Sequence, residues 1–200
     1  MPHFGPEVVL DRPAWVHPTV QLHGKIRIGE GASLWVNAVI RAECNEVIVG
    51  PYANVQDFAM IHVGYGIDTR IGAYTSLAHH CTVHGATIGN NCMIGIGAVV
   101  MDGCEIGDNS IVGAGALLTE GTVVPPDSVV VGSPGRVRRT RNSFVENRLN
   151  AMLYYRNGVE YAAGRHRAWH GPEYETWVAA ERERIEREFA SRYPAADAAC

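Results

Sequence analysis

The chain has no long apolar run, no basic cluster and no closely paired cysteines, and each absence narrows what it can be. No stretch approaches the roughly eighteen consecutive apolar residues of a membrane span. The opening MPHFGPEVVLDRP has neither the charged start nor the apolar core of a signal peptide, so a cytoplasmic protein is expected. Only 19% of the 200 residues are charged, and the net charge of −4 gives no reason to expect nucleic acid or a membrane surface as partner. A small molecule is the expected partner. Cys44, Cys81, Cys92, Cys104 and Cys200 are odd in number and form no Cys-x-x-Cys pair, so they are read as reduced thiols. Hydrophobic residues make up 46%, enough for one domain with a real core plus an appendage.

What the sequence does have is a period of six. From Leu10 an aliphatic residue recurs at Val16, Leu22, Ile28, Leu34 and Ile40. The pattern resumes at Val49, Val55 and Ile61, then at Ile71, Leu77 and Val83, and runs from Ile88 by sixes to Val130. Glycine often follows the aliphatic residue, and four residues after it the side chain is small, as at Ala32, Ala53, Thr75, Cys81, Cys92, Cys104 and Ser110. One inward aliphatic and one small residue per six make a short strand and a tight corner, and three such units close a triangular coil. The expected fold is therefore mainly β, a parallel β-helix of hexapeptide repeats with about seven coils stacked at about 4.8 Å. Cys92 and Cys104 fall at the small inward position, where packing rather than redox chemistry is expected.

The period ends at a Gly/Pro cluster after Val130, dividing the chain into a β-helix over 1–135 and a helical appendage over 136–200. Ser143 and Glu146 have capping-box spacing ahead of a helix ending near Gly164, and Pro172 opens a second helix. Alternating Glu and Arg from Glu181 to Glu188 predict a solvated face with local ion pairs. Trp177, Ile185 and Phe189 are expected to face the core or a partner subunit. The tail AADAAC reads as disordered.

The repeat also places side chains. Ile40, Ile61 and Val83 begin the same face on successive coils, so Arg41, His62 and His84, one position later, form a column. Val55 and Leu77 begin a different face, on which Asp57 and His79 are equivalent, with Gln56 beside them. One chain thus offers two imidazoles on one face and the third on another, and a threefold ring of chains would bring them together. A homotrimer with intersubunit sites is predicted. Three neutral imidazoles with an open fourth position suit a catalytic zinc. Arg41 and Asp57 are read as an ion pair between subunits, Gln56 as orienting hydroxide or substrate, and Glu43 as a proton acceptor or a partner of the metal-bound water. His3, His17, His23, His166 and His170 are read as structural or surface residues, and His80 as a neighbour of the site.

Arg41-Ala42-Glu43, then Asn54-Val55-Gln56-Asp57 with His62, then His79 to His84-Gly85 resemble the γ-class carbonic anhydrase family over about residues 10 to 160. The resemblance implies a left-handed coil, an exception to the usual crossover hand. It implies a trimer in which His62 and His84 come from one subunit and His79 from its neighbour. Zn²⁺, or Fe²⁺ or Co²⁺ in its place, would then supply metal-bound hydroxide to attack carbon dioxide and give bicarbonate. Tyr154 and Asn157 resemble a Tyr and an Asn that helices of the family direct toward the site. The chain departs from the pattern at Glu43, where aspartate is usual, at Ala78-His79-His80, and in the insertion between Ile61 and Ile71, whose only acid is Asp68. The same zinc chemistry suits acyl-CoA thioesters or other activated carbonyls, as in phenylacetate-pathway thioesterases that some relatives resemble. A non-catalytic metal-binding subunit of a larger assembly is a third reading. A hexapeptide acyltransferase fits the repeat but not the three histidines.

Overall fold

The six-residue period becomes geometry directly. In the computed structural model, which describes residues 4–194, it folds into a left-handed parallel β-helix followed by two α-helices. Strands mostly two or three residues long each pair in parallel with the strands one coil above and below. Three inward columns result. One carries Leu22, Ile40, Ile61, Val83, Val100 and Leu118. The second carries Ile28, Val49, Ile71, Ile88, Ile106 and Val124, and the third Leu34, Val55, Leu77, Ile94, Val112 and Val130. All of these are at most 3% exposed. At about 1.5–3 kcal/mol for each fully buried aliphatic side chain, these stacks hold the coils together.

The corners follow from the small residues. Ala53, Thr75, Cys81, Cys92, Cys104 and Ser110 are buried, and the cysteines fill corners as small apolar groups. Among the described residues no cysteine is in a disulfide; Cys44 is exposed. The residue before the small one frequently turns the chain with left-handed backbone, with φ between 56° and 59° at Asn37, Tyr52, Phe58, Tyr74, His80, Asn91 and Asn109. Such a conformation costs a non-glycine residue on the order of 1 kcal/mol or more. Stacking of like corners offsets it: Tyr52 lies on Tyr74 at 5.1 Å, Phe58 on His80 at 4.9 Å, and Asn91 donates to Asn109 at 3.0 Å.

Both ends of the repeat differ from its middle. Leu10 and Val16 keep register with Ile28 and Leu34, but Leu10 is 36% exposed on the outermost coil. At the other end the Gly/Pro cluster is the turn of a hairpin, in which Ser128–Val131 pairs antiparallel with Arg136–Thr140. This hairpin covers the last edge of that sheet.

Helix α1 (Phe144–Ala162) lies along the face built by Trp15, Leu34, Val55 and Leu77. The expected capping box does not form. Ser143 is the N-cap, but its buried hydroxyl turns back to the Arg141 carbonyl at 3.4 Å, and Arg141 takes Glu146 as an ion-pair partner. The Asn142 side chain accepts from the Phe144 N–H at 2.9 Å instead. Asn147 donates to the Asn91 carbonyl at 2.9 Å and Asn150 to the Ser76 hydroxyl at 2.8 Å. Spaced by three and four, Asn147, Asn150, Tyr154, Asn157 and Tyr161 share the face turned to the coil. Helix α2 (Pro172–Arg192) packs on α1 through fully buried Ile185 and through Phe189, which meets Phe144 at 5.9 Å. Its outer face carries the expected ion pairs, Arg184 to Glu181 and Arg187 to Glu183. The tail AADAAC, with Cys200, lies outside the described residues.

Candidate metal centre

The pairing register places Arg41 beside His62 and His62 beside His84 on successive coils. His62 Nδ1 and His84 Nε2 face each other at 2.9 Å. Each ring is held from its other nitrogen: His62 Nε2 by Glu43 Oε2 at 3.0 Å, and His84 Nδ1 by Asp102 Oδ1 at 2.5 Å. A carboxylate only accepts, so each of these outer nitrogens carries a proton, and in the neutral imidazole the inner one is left as the acceptor or ligand atom. Slight desolvation works against it, but hydrogen bonds from His62 and Arg41 hold the Glu43 carboxyl below its usual range, in the ionised form. Two neutral rings held in this way turn their ligand nitrogens toward one point, where a cation could bind both.

Asp102 was invisible to the repeat. It lies two residues after Val100, whereas His84 lies one after Val83, and the coil joining them is one residue short, pairing Val83 with a residue only seventeen positions on. The shortening falls at the corner after His84. There Gly85 has φ 55°, and a Cβ on it would meet Asp102 Oδ1 at 2.1 Å. Glycine is required at this corner for both conformation and space.

His79 is on the other face, as the columns predict. Its Nδ1 pairs with Asp57 Oδ2 at 2.9 Å, leaving Nε2 turned away from that carboxylate. Beside it Gln56 is 3% exposed and donates to Asn54 at 2.9 Å. Tyr154 and Asn157 of α1 line a cavity of about 370 Å³ together with Asp57 and His79. Burial pushes the Tyr154 phenol up to about 12, with the Asp57 charge adding to it, so it remains a donor. Trp35 and Trp169 contact Tyr154 edge-on at 5.6 and 5.3 Å.

Within one chain Arg41 pairs with Glu43, and Asp57 with His79. His166 and His170 are exposed, as expected, and line the cavity with His79, as do Arg167 and Trp169. They belong to the connection between the helices, which carries no repeat and so no positional signal.

One chain supplies two converging imidazoles and holds the third apart; among the described residues no group of three potential ligands converges. The donor set of the pair nevertheless fits a metal. A tetrahedral zinc with bonds of about 2.0–2.1 Å holds two nitrogens about 3.3 Å apart, close to the observed separation, and ligating histidines commonly have a carboxylate behind them.

Residues 85–120 match the bacterial transferase hexapeptide family (six repeats). Over 133 residues the chain is 47% identical to the Methanocaldococcus jannaschii protein named "Probable carbonic anhydrase", covering 66% of this chain and 84% of that one. The chain belongs to the γ-carbonic-anhydrase-like family. The Geobacillus kaustophilus protein named "Carbonic anhydrase" is 34% identical over 164 residues, covering 81% of this chain and 90% of that one. Among solved structures, a hexapeptide transferase family protein from Anaplasma phagocytophilum superposes with a TM-score of 0.68 at 30% identity, covering 78% of this chain and 92% of that one. Mitochondrial γ carbonic anhydrase 2 of Arabidopsis thaliana is longer, and the chain spans 38% of it. By family, this is a carbonic-anhydrase-like enzyme.

Proposed function

We propose that the chain is a zinc-dependent carbonic anhydrase acting as a cytoplasmic homotrimer, converting carbon dioxide to bicarbonate at three intersubunit sites. The observation that carries this is the facing pair His62 and His84, each held from its outer nitrogen by a carboxylate so that the inner nitrogens converge. The third ligand is His79 of the neighbouring chain, whose Nε2 is the ring nitrogen that Asp57 leaves free. Fe²⁺ or Co²⁺ would suit the same ligands. When bound, such a metal supplies a Lewis acid that makes water nucleophilic near neutral pH.

The chain's own residues do the rest. Asp102 and Glu43 fix the tautomers of His84 and His62. Arg41 holds the Glu43 carboxylate from its other side. Gln56, fixed by Asn54 beside His79, offers its remaining amide groups to orient the attacking water or a substrate oxygen. Tyr154 donates from a protonated phenol, and Asn157 lines the same cavity. Asp68 is occupied by the Glu46 N–H at 3.0 Å and by Arg70 at 2.7 Å, so the insertion does not provide a free proton shuttle. The β-helix of residues 1–135 carries the metal site, and the appendage of 136–200 supplies its outer wall.

A second reading, hydrolysis of an acyl-CoA thioester or another activated carbonyl, is favoured by the cavity at His79. Its walls include Trp35, Tyr161 and Trp169, and its volume of about 370 Å³ exceeds the need of carbon dioxide. An assembly subunit is less well supported, since among the described residues of α2 no large hydrophobic side chain is prominently exposed.

Metal content followed by stopped-flow carbon dioxide hydration on the same sample tests the proposal. About one metal per chain with clear hydration is expected. Metal without hydration would favour the thioester reading, and protein that binds no metal would refute both.

A further inference from the structure

A second cavity, of about 520 Å³, lies where α1 ends and α2 begins. Its lining is cationic: Arg156 from α1, and Arg165, His166, Arg167 and His170 from the connection. Two acids, Glu160 and Glu173, also reach it. Glu160 is engaged by Arg165 and also feels the charge of Arg156. Among the described residues Arg167 makes no ion pair, and the Arg156 side chain is fixed by stacking 4.9 Å over Trp177 and 5.4 Å over Tyr174. Arg156 Nη1 is buried with no hydrogen-bond partner.

A buried guanidinium donor without an acceptor is rare in a native protein, because buried polar groups are almost always paired. Here the donor belongs to a side chain that lines a cavity together with a second guanidinium free of ion pairs and two imidazoles. Guanidinium groups match the paired oxygens of a phosphoryl group in both geometry and charge. Three guanidiniums against two carboxylates leave the lining net positive, which favours an anion.

We propose that this cavity is an oxyanion site that takes a phosphoryl group, free or at the end of a small organic molecule. Residues 166–168 and 170 also line the cavity at His79, so a ligand anchored by its phosphoryl group here reaches toward that site along the connecting segment.

Calorimetric titration of the full chain with inorganic phosphate, pyrophosphate and a nucleoside bisphosphate tests this. At least one of the three is expected to bind. Arg167→Ala, at an exposed position, should weaken that binding at least tenfold, and Arg156→Gln should do the same with its melting temperature recorded alongside. Comparable affinity for phosphate and the bisphosphate would identify a free-anion site, and a tenfold preference for the bisphosphate an organic ligand; either supports the proposal. The titration is repeated on His79→Ala protein, in which the proposed metal centre is broken. Binding that persists there places the anion between the helices whatever becomes of the anhydrase reading. No binding by any probe, binding lost with His79, or affinity unchanged in Arg167→Ala would overturn it.

Discussion

Asp102 accepts a 2.5 Å hydrogen bond from His84 Nδ1, across a corner kept open by Gly85. The bond decides which nitrogen of His84 is available as a ligand. Asp102→Asn should preserve the fold but weaken metal affinity roughly 10- to 100-fold, the usual cost of losing an outer partner of a ligating histidine. Competition against a chromogenic chelator reads this directly. Unchanged affinity would mean that the carboxylate does not set the tautomer.

Gly85→Ala combines a left-handed backbone with a Cβ placed 2.1 Å from Asp102 Oδ1. It should destabilise the protein by about 1–3 kcal/mol and disturb His84 as well. Urea unfolding with metal titration separates the two effects. Gly85→Ala with both properties intact would contradict the steric account.

The column of Arg41, His62 and His84 was legible in the sequence because each residue follows an aliphatic residue whose inward direction the period fixes. The same count separated His79 and Asp57 onto another face. Asp102 was not legible, since it reaches His84 diagonally across a coil one residue short, and the five-residue step from Val83 to Ile88 does not say which outward side chain the shortening brings within reach. Ser143 illustrates a different limit. Its spacing to Glu146 is that of a capping box, but Arg141, outside the motif, captures the glutamate. His166 and His170 sit in a connection whose course is set by helix packing, on which local sequence is silent.

The Tyr154 phenol is pushed up to about 12 by burial, while in the unfolded chain it titrates near 10. Its contribution to stability is therefore complete below about pH 10 and is lost as the pH rises from there through 12. Tyr154→Phe should flatten the alkaline limb of a stability-versus-pH curve measured by urea unfolding. The neutral-pH activity profile should keep its shape, with a lower rate, because the phenol does not titrate there. A limb between pH 6 and 9 that vanishes in Tyr154→Phe would contradict this.

Burial drives the Cys81 and Cys92 thiols up to about 12 and raises that of Cys104, whereas Cys44 is exposed. In a Cys200→Ser background, a thiol reagent at neutral pH should modify Cys44 quickly and the other three only on unfolding, because the thiolate is the reactive form. Mass spectrometry of the labelled sites checks this. Rapid native labelling of Cys92 would show that the corner opens.

The central claim is that each metal site is shared between chains, and mixing two inactive variants tests it. His62→Ala and His79→Ala chains should each bind no metal as pure trimers. Unfolded together in equal amounts and refolded, they should recover metal and hydration at about a quarter of the sites, since each mixed trimer rebuilds one of its three. Recovery near that fraction is the predicted result. If no mixture regains metal while both variants fold and assemble, His79 is not supplied by a neighbouring chain and the intersubunit site is wrong.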